Sequence, residues 1–371
     1  MVSDNMANGH SAANKKQKLI LAIECTAHTF GAAVADIDYN ILSNERDILK
    51  DDKGGLIPIR ILEHHVEVSR EIIQKALDDA GVSLKDIEFI AVSNSPGMGH
   101  ALRTGNIIAK TLSMKHNIPL IPVNHSLSHL TSAMVHSNGK NTTLMYAAGA
   151  NTQIYNYSKG RMMLVVETLD IGIGHLLDII ARELGFGFPG GPVIEKIAAE
   201  YNEKNDGIIE LPYNVKGMDV VFGGLFTKVK NMITEHKEVA SFNEDSADNL
   251  TGKLCFSVQE YSFAALLEAT ERAASLNNSN NIAVIGGVAL NKKFQEMSKS
   301  LCEQKNVRLI IPEKNLLPDN AAMIALEAAR KIKDKKNGNT SRRSSTFIFS
   351  KSQSLKIKPY ERLQENFSYK M

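Results

Sequence analysis

Cysteine is scarce in this chain, and what there is cannot form a scaffold. Cys25, Cys255 and Cys302 are the only three in 371 residues, and no CxxC occurs. Neither a zinc ribbon nor a disulfide framework is therefore implied. No apolar run approaches the roughly eighteen residues that cross a bilayer, so no membrane contact is expected. HExxH is absent, and no Ser or Cys lies in a nucleophile motif, which leaves a protease without its machinery. Residues 1–18 are polar and small, with Asp4 and no Arg. They fit neither a secretory signal nor a mitochondrial presequence, and the cytoplasm is the expected location.

Charge is present, but unevenly spread. Residues 331–371 hold eleven Lys or Arg against three acids, a net of +8, while the preceding 330 residues carry −6. The end is also rich in Ser and Asn, so a basic flexible tail is expected over 335–371 and a disordered extension over 1–17. Contact with a nucleic-acid backbone and a simply solvated terminus fit the tail equally well.

Periodicity divides the chain into two similar halves. Strands are expected at residues 19–25, 31–38 and 42–49, then helix 62–80, strand 87–93, helix 102–115 and strand 119–123. The second half repeats the order: strands 143–148, 153–157 and 162–169, a helix-rich insert, strand 282–285, helix 291–303, strand 307–311 and helix 320–332. A polar, acidic loop is expected at 236–250. Three strands followed by αβαβ, twice, is an α/β pattern of the duplicated actin/hexokinase/heat-shock ATPase (ASKHA) kind, with two lobes around a nucleotide cleft. The first lobe would span 18–140. The second would span 141–334, and its final helix could pack back on the first.

Within this frame, His125 and His129 follow an apolar strand with the spacing HxxxH. On a helix, i and i+4 share a face, which suits two imidazole ligands of one Zn or Fe ion. Spacing alone does not separate this from surface or capping histidines. Asp319 lies just after the last strand, where it could cap the final helix. In a duplicated cleft it could also close a three-ligand site with the histidines. Small-residue turns at 24–29, 95–99, 147–153, 189–192 and 286–291 could admit phosphate or adenosine close to the backbone, or be ordinary strand-to-helix turns.

Taken together, Glu24 to Thr29, Val123-Asn-His…His129, Asn151-Thr-Gln153, the run Leu211 to Asp219 and Asp319-Asn…Met323-Ile-Ala325 resemble the tRNA threonylcarbamoyl-adenosine transferase family. The family was formerly described as O-sialoglycoprotein endopeptidase. The resemblance runs from about Lys18 to Lys333, and it is to the archaeal and eukaryotic type, the catalytic subunit of the KEOPS complex. It implies transfer of the threonylcarbamoyl group from threonylcarbamoyl-AMP to the exocyclic amine of the adenosine 3′ to the anticodon in ANN-decoding tRNAs. It also implies one divalent metal, Fe or Zn, on His125, His129 and Asp319, with Tyr146 nearby. The adenylate, or ATP/ADP in its place, would lie against Tyr146, Ala147, Ala148, Gly149, Ala150, Asp178, Gly191, Glu195 and Asn291. Implied partners are tRNA, a small kinase/ATPase subunit, a dimerising subunit and a regulatory subunit.

Several family positions differ. Ala148-Gly149-Ala150 replaces Ser-Gly-Gly, Gly223 replaces Ser, Ser95 replaces Gly, Ser128 stands where Gly or Ala is usual, and Ile179 replaces a lysine. The aromatic-basic motif usual at the family's C-terminus is not recognisable over 335–371. These departures leave open a divergent, weakly active or inactive paralogue that serves as a nucleotide-binding subunit. Another phosphotransferase or ATPase of the same fold is a third reading.

Overall fold

The structure is a computed structural model, and it describes residues 17–49, 57–149, 152–202, 207–213, 215–239, 244–336, 357–361, 363 and 366–370. The expected disordered extension, apart from residue 17, lies outside these residues, as do Ala150, Asn151 and Asn214 of the motifs above.

The first lobe runs β1 (Leu19–Glu24), β2 (Thr29–Asp36), β3 (Ile41–Ile48), α1 (Pro58–Asp79), β4 (Ile87–Ser95), α2 (Gly99–His116), β5 (Leu120–Asn124) and α3 (His125–Met134). The second repeats it with β6 (Thr142–Ala147), β7 (Thr152–Ser158) and β8 (Arg161–Glu167). There follows an insert of α4 (Ile173–Glu183), α5 (Gly190–Asn202), the hairpin β9 (Val215–Lys216) and β10 (Asp219–Val220), and α6 (Gly223–Val239). The repeat then resumes with α7 (Glu244–Asn277), β11 (Asn281–Ile285), α8 (Lys292–Lys305), β12 (Arg308–Ile310) and α9 (Ala321–Lys336). The expected loop at 236–250 is helical over 236–239 and 244–250, because α6 and α7 extend into it from either side.

The two sheets have the same wiring. The first is ordered β3-β2-β1-β4-β5 and the second β12-β11-β6-β7-β8. In each, the first three strands pair antiparallel and the last two add in parallel. All six residues of β1 are buried, as a strand covered on both faces requires. Leu19, Leu21 and Ile23 pack with Ile72, Ile73 and Ala76 of α1, whereas Ile20 and Ala22 pack with Ala321, Ile324 and Ala325 of α9.

That second contact exposes a crossing. Helix α9 ends the second lobe in sequence but covers the first sheet, while Leu130, Ala133 and Met134 of α3 pack with Leu144, Tyr146 and Ile285 of the second sheet. The last helix of each half therefore lies on the opposite half, and α3 and α9 meet between the lobes.

Of the flexible basic tail expected over 335–371, residues 337–356, 362, 364, 365 and 371 lie outside the described residues, while the described end pairs with the fold. Residues 366–368 form β13 (Asn366–Ser368), antiparallel to the outer edge of β8, and Tyr369 is fully buried. Further back, Lys358 N donates to the carbonyl of Asn94 at 2.9 Å, and Gly97 N donates to that of Pro359 at 3.1 Å. The physical reason is edge pairing: β8 offers unsatisfied backbone groups that a strand can cover.

Candidate metal and nucleotide site

The site begins with helix capping. Asn124, the last residue of β5, accepts a hydrogen bond from Leu127 N at 3.0 Å and starts α3 at His125. Asn320 does the same for α9, accepting from Met323 N at 3.0 Å. Asp319 is thus relieved of the capping role that its position suggested, and its carboxylate turns to the histidines. Arg46 of β3 donates to the Asp319 carbonyl at 3.3 Å and holds the loop in place.

Asp319 Oδ1 lies 3.5 Å from His125 Nε2 and 3.3 Å from His129 Nε2. The donor atoms of the three residues all lie within 4.8 Å of one another. Metal–ligand bonds of about 2.0–2.2 Å at tetrahedral angles put donor atoms roughly 3.3 Å apart, so the carboxylate-to-imidazole separations match a bound divalent ion. Two imidazoles and a carboxylate also form a donor set suited to Zn or Fe. The residues therefore fit the metal that the resemblance implies. Both histidines are buried, but 24% of the Asp319 side chain remains exposed, which leaves the group accessible from one side.

Behind His125 stands Glu24, at the end of β1. Its Oε2 is 3.2 Å from His125 Nδ1, and it is fully buried. Thr26 donates to Glu24 from its backbone N at 2.7 Å and from its hydroxyl as well, and that hydroxyl also lies 3.2 Å from His125 Nδ1. Burial alone would lower the His125 pKa, but the Glu24 and Asp319 carboxylates outweigh it and raise it to about 9. His129 goes the other way, because burial outweighs its bond to Asp319; its Nδ1 is buried and has no partner among the described residues. Burial would raise Asp319, yet the two histidines hold it well below the usual carboxylate range. The sequence placed Glu24 in a candidate phosphate turn and a family motif, with no role toward the histidines. A charged residue ending an otherwise apolar strand was the signal that could have found it.

Tyr146, on β6, is buried with its ring 5.0 Å from that of His129. Its hydroxyl hydrogen-bonds Ser126, and burial raises its pKa, keeping it a neutral phenol.

The remaining candidates line the second lobe. Ala148 and Gly149 lie against the start of α4, where their carbonyls accept from Gly174 N at 3.2 Å and His175 N at 2.9 Å. A Cβ on Gly174 would come within 2.8 Å of Gly149 Cα, so this approach needs a glycine. Asp178 accepts from Gly190 N at 2.8 Å; burial raises its pKa, opposed by its bonds to the Gly190 and Gly191 backbone. Glu195 accepts from Lys292 N at 2.8 Å, beside Asn291 at the start of α8. Asp178, Gly191, Glu195 and Asn291 are thus linked through the starts of α5 and α8. Asn291 is committed structurally, however: it caps α8 through Phe294 N and donates to Gln259 at 2.6 Å.

Three of the departures are accommodated locally. The Ser128 hydroxyl donates to the His125 carbonyl at 2.6 Å, and Ile179 is buried in α4. Gly223 N donates at 2.6 Å to Asp170, whose carboxylate lies where a side chain on residue 223 would begin.

A duplicated βββαβαβα unit, with its last helices exchanged and a polar site where they meet, defines a two-lobed protein of the ASKHA type. HypF from T. kodakarensis shares this fold, with a TM-score of 0.54 and 15% identity over 85% of this chain and 48% of that one. A nucleotide-bound HypF gives 0.51 and 12% over 88% and 57%. The chain belongs to the tRNA N6-adenosine threonylcarbamoyltransferase family, whose sequence model matches residues 39–326. The tRNA N6-adenosine threonylcarbamoyltransferase of Thermococcus sibiricus is 39% identical over 85% of this chain and 92% of its own. That of Saccharolobus islandicus is 39% identical over 83% and 89%. A relative in Methanothermobacter thermautotrophicus, named 'Probable bifunctional tRNA threonylcarbamoyladenosine biosynthesis protein', is 38% identical over 83% of this chain but only 54% of its own. The protein is accordingly a tRNA-modifying transferase. Among the described residues, no helix is long and apolar enough to cross a membrane.

Proposed function

We propose that the protein transfers the threonylcarbamoyl group of threonylcarbamoyl-AMP to the exocyclic amine of the adenosine 3′ to the anticodon in ANN-decoding tRNAs, with metal assistance. The observation that carries the metal part is the meeting of His125, His129 and Asp319 with donor separations of 3.3 and 3.5 Å. A divalent Zn or Fe ion held there would supply Lewis-acid polarisation of the carbamoyl carbonyl.

The chain's own groups do the rest. Glu24 holds the His125 ring through Nδ1 and leaves Nε2 turned to the site. Ala148, Gly149 and Gly174 present backbone to the adenylate, while Asp178 and Glu195 face its ribose hydroxyls and Gly191 admits the base. The incoming amine forms the new N–C bond and releases one proton to solvent, the C–O bond to the phosphate breaks, and AMP departs with the negative charge. Positioning of the two substrates on opposite sides of the carbamoyl carbon is the main contribution.

Action within a KEOPS-type complex, with kinase/ATPase, dimerising and regulatory subunits in the cytoplasm, belongs to the same reading. The bifunctional relative, nearly twice the span of the match, supports a physically coupled second activity. The deciding test combines the purified protein and these partners with threonylcarbamoyl-AMP and unmodified tRNA, and reads the nucleoside by mass spectrometry. Threonylcarbamoyladenosine at that position is the expected product; its absence with the metal site loaded would overturn the proposal.

A further inference from the structure

The contacts of residues 358–370 lead to the metal-site residues by two separate routes. On the first, the Tyr369 hydroxyl donates to Thr131 Oγ1 at 2.9 Å, and Thr131 donates to Glu327 Oε2 at 2.7 Å. Thr131 is on α3, two residues beyond His129, and Glu327 is on α9, eight residues beyond Asp319. Arg330 closes the group. Its Nε and Nη2 each donate to Glu327 at 2.7 Å, its Nη1 donates to Asp334 at 2.6 Å and to the Lys370 carbonyl at 3.3 Å, and its guanidinium stacks 4.6 Å from the Tyr369 ring. Thr131, Glu327 and Tyr369 are fully buried and Arg330 nearly so.

The second route starts at residues 358–361. Ser95 donates to Glu361 at 2.6 Å, and Gly97 N donates to the Pro359 carbonyl. The next residue, Met98, donates through its N to the Thr26 carbonyl at 2.8 Å. Thr26 in turn holds Glu24, which holds His125.

A buried, hydrogen-bonded ion pair is a weak source of stability, but it can specify one arrangement over near alternatives. Here the alternatives are small slides of α3 along α9, each of which would move two imidazoles relative to one carboxylate. We propose that Tyr369, through Thr131, Glu327 and Arg330, is a positioning clamp that sets α3 against α9 and thereby sets the donor spacing of His125, His129 and Asp319. The proposal rests on the metal reading above and deepens it: the C-terminal end contributes to metal affinity without touching the metal.

Tyr369→Phe keeps the ring and its stacking and removes only the bond to Thr131, so it tests the clamp with little risk to folding. In the full-length chain, with Co2+ as the probe, affinity is expected to fall about tenfold, the effect of removing a partner that orients a ligand, and the ligand-field spectrum is expected to change. Amide exchange across residues 125–134 should quicken. Phe294→Leu, in the second-lobe core away from both helices, serves as the control for general destabilisation. Unchanged Co2+ affinity and exchange in Tyr369→Phe, or an equal loss of affinity in the control, would overturn the clamp. If the wild-type chain takes up no Co2+, the metal reading itself fails; exchange across 125–134 then decides the clamp alone, quickened for it and unchanged against it.

Discussion

Glu24 and His125, 101 residues apart, sit with Oε2 and Nδ1 3.2 Å from each other, one ending a first-lobe strand and the other opening the helix that crosses to the second lobe. The pairing fixes which nitrogen of His125 faces Asp319, and it joins the conformation of the Glu24–Thr26 turn to the candidate metal site.

Glu24→Gln should therefore weaken metal binding even though Glu24 is not a ligand. The amide keeps the shape and loses the charge, and a loss of about 10–100-fold is expected from removal of such a partner. Metal titration of the purified protein checks this, and an unchanged dissociation constant would show that His125 needs no orienting carboxylate.

His125→Ala should remove metal and transfer activity together, because it takes away one donor of the His125, His129 and Asp319 set. Metal content by mass spectrometry, alongside modified-nucleoside analysis, separates the outcomes. A variant that retained stoichiometric metal would show the ligand assignment to be wrong.

Acid should destabilise the fold in part through His65, which lies under Phe30 with its ring centroid 5.4 Å away. Burial, with the neighbouring His64, pushes its pKa down to about 4 from an ordinary 6.5. The unfolded chain therefore binds the proton first, so the contribution is complete above pH 6.5 and is lost as pH falls toward 4. The loss amounts to at most about 3 kcal/mol. Denaturant unfolding of wild type and His65→Gln at pH 7 and pH 4.5 isolates it; equal pH dependence in the two proteins would exclude His65 as the source.

Gly286→Ala should be strongly destabilising and Gly287→Ala nearly neutral, although the two are adjacent. Gly286 has φ +93°, and a Cβ there would meet the Ala147 carbonyl oxygen at 2.3 Å, whereas nothing lies within 4 Å of one on Gly287. Strain at positive φ plus displacement of backbone is expected to cost about 2–5 kcal/mol. Thermal unfolding of both variants checks the difference, and similar midpoints would contradict the described approach of the β11 turn to β6.

Much of this was written locally. Apolar runs placed the strands within a residue or two, the repeat of three strands and αβαβ announced the duplication, and HxxxH after a strand announced a shared helix face. These are short-range properties, set by side-chain period and by which residues cap or break an element. The sequence also supplied Asp319 as a partner, through the duplication and the family motifs. It misjudged the loop at 236–250, where α6 and α7 extend into polar residues from either side, and among the described tail residues composition concealed the buried Tyr369.

Only the tertiary structure decided what stands behind the histidines. The exchange of α3 and α9 between lobes, the carboxylate of Glu24 on His125, and the line from Tyr369 through Thr131 to Glu327 join residues separated by up to 238 positions. No local period encodes such pairings. They arise because each exchanged helix must bury an apolar face on the other lobe's sheet, and the polar groups carried along with it must find partners there.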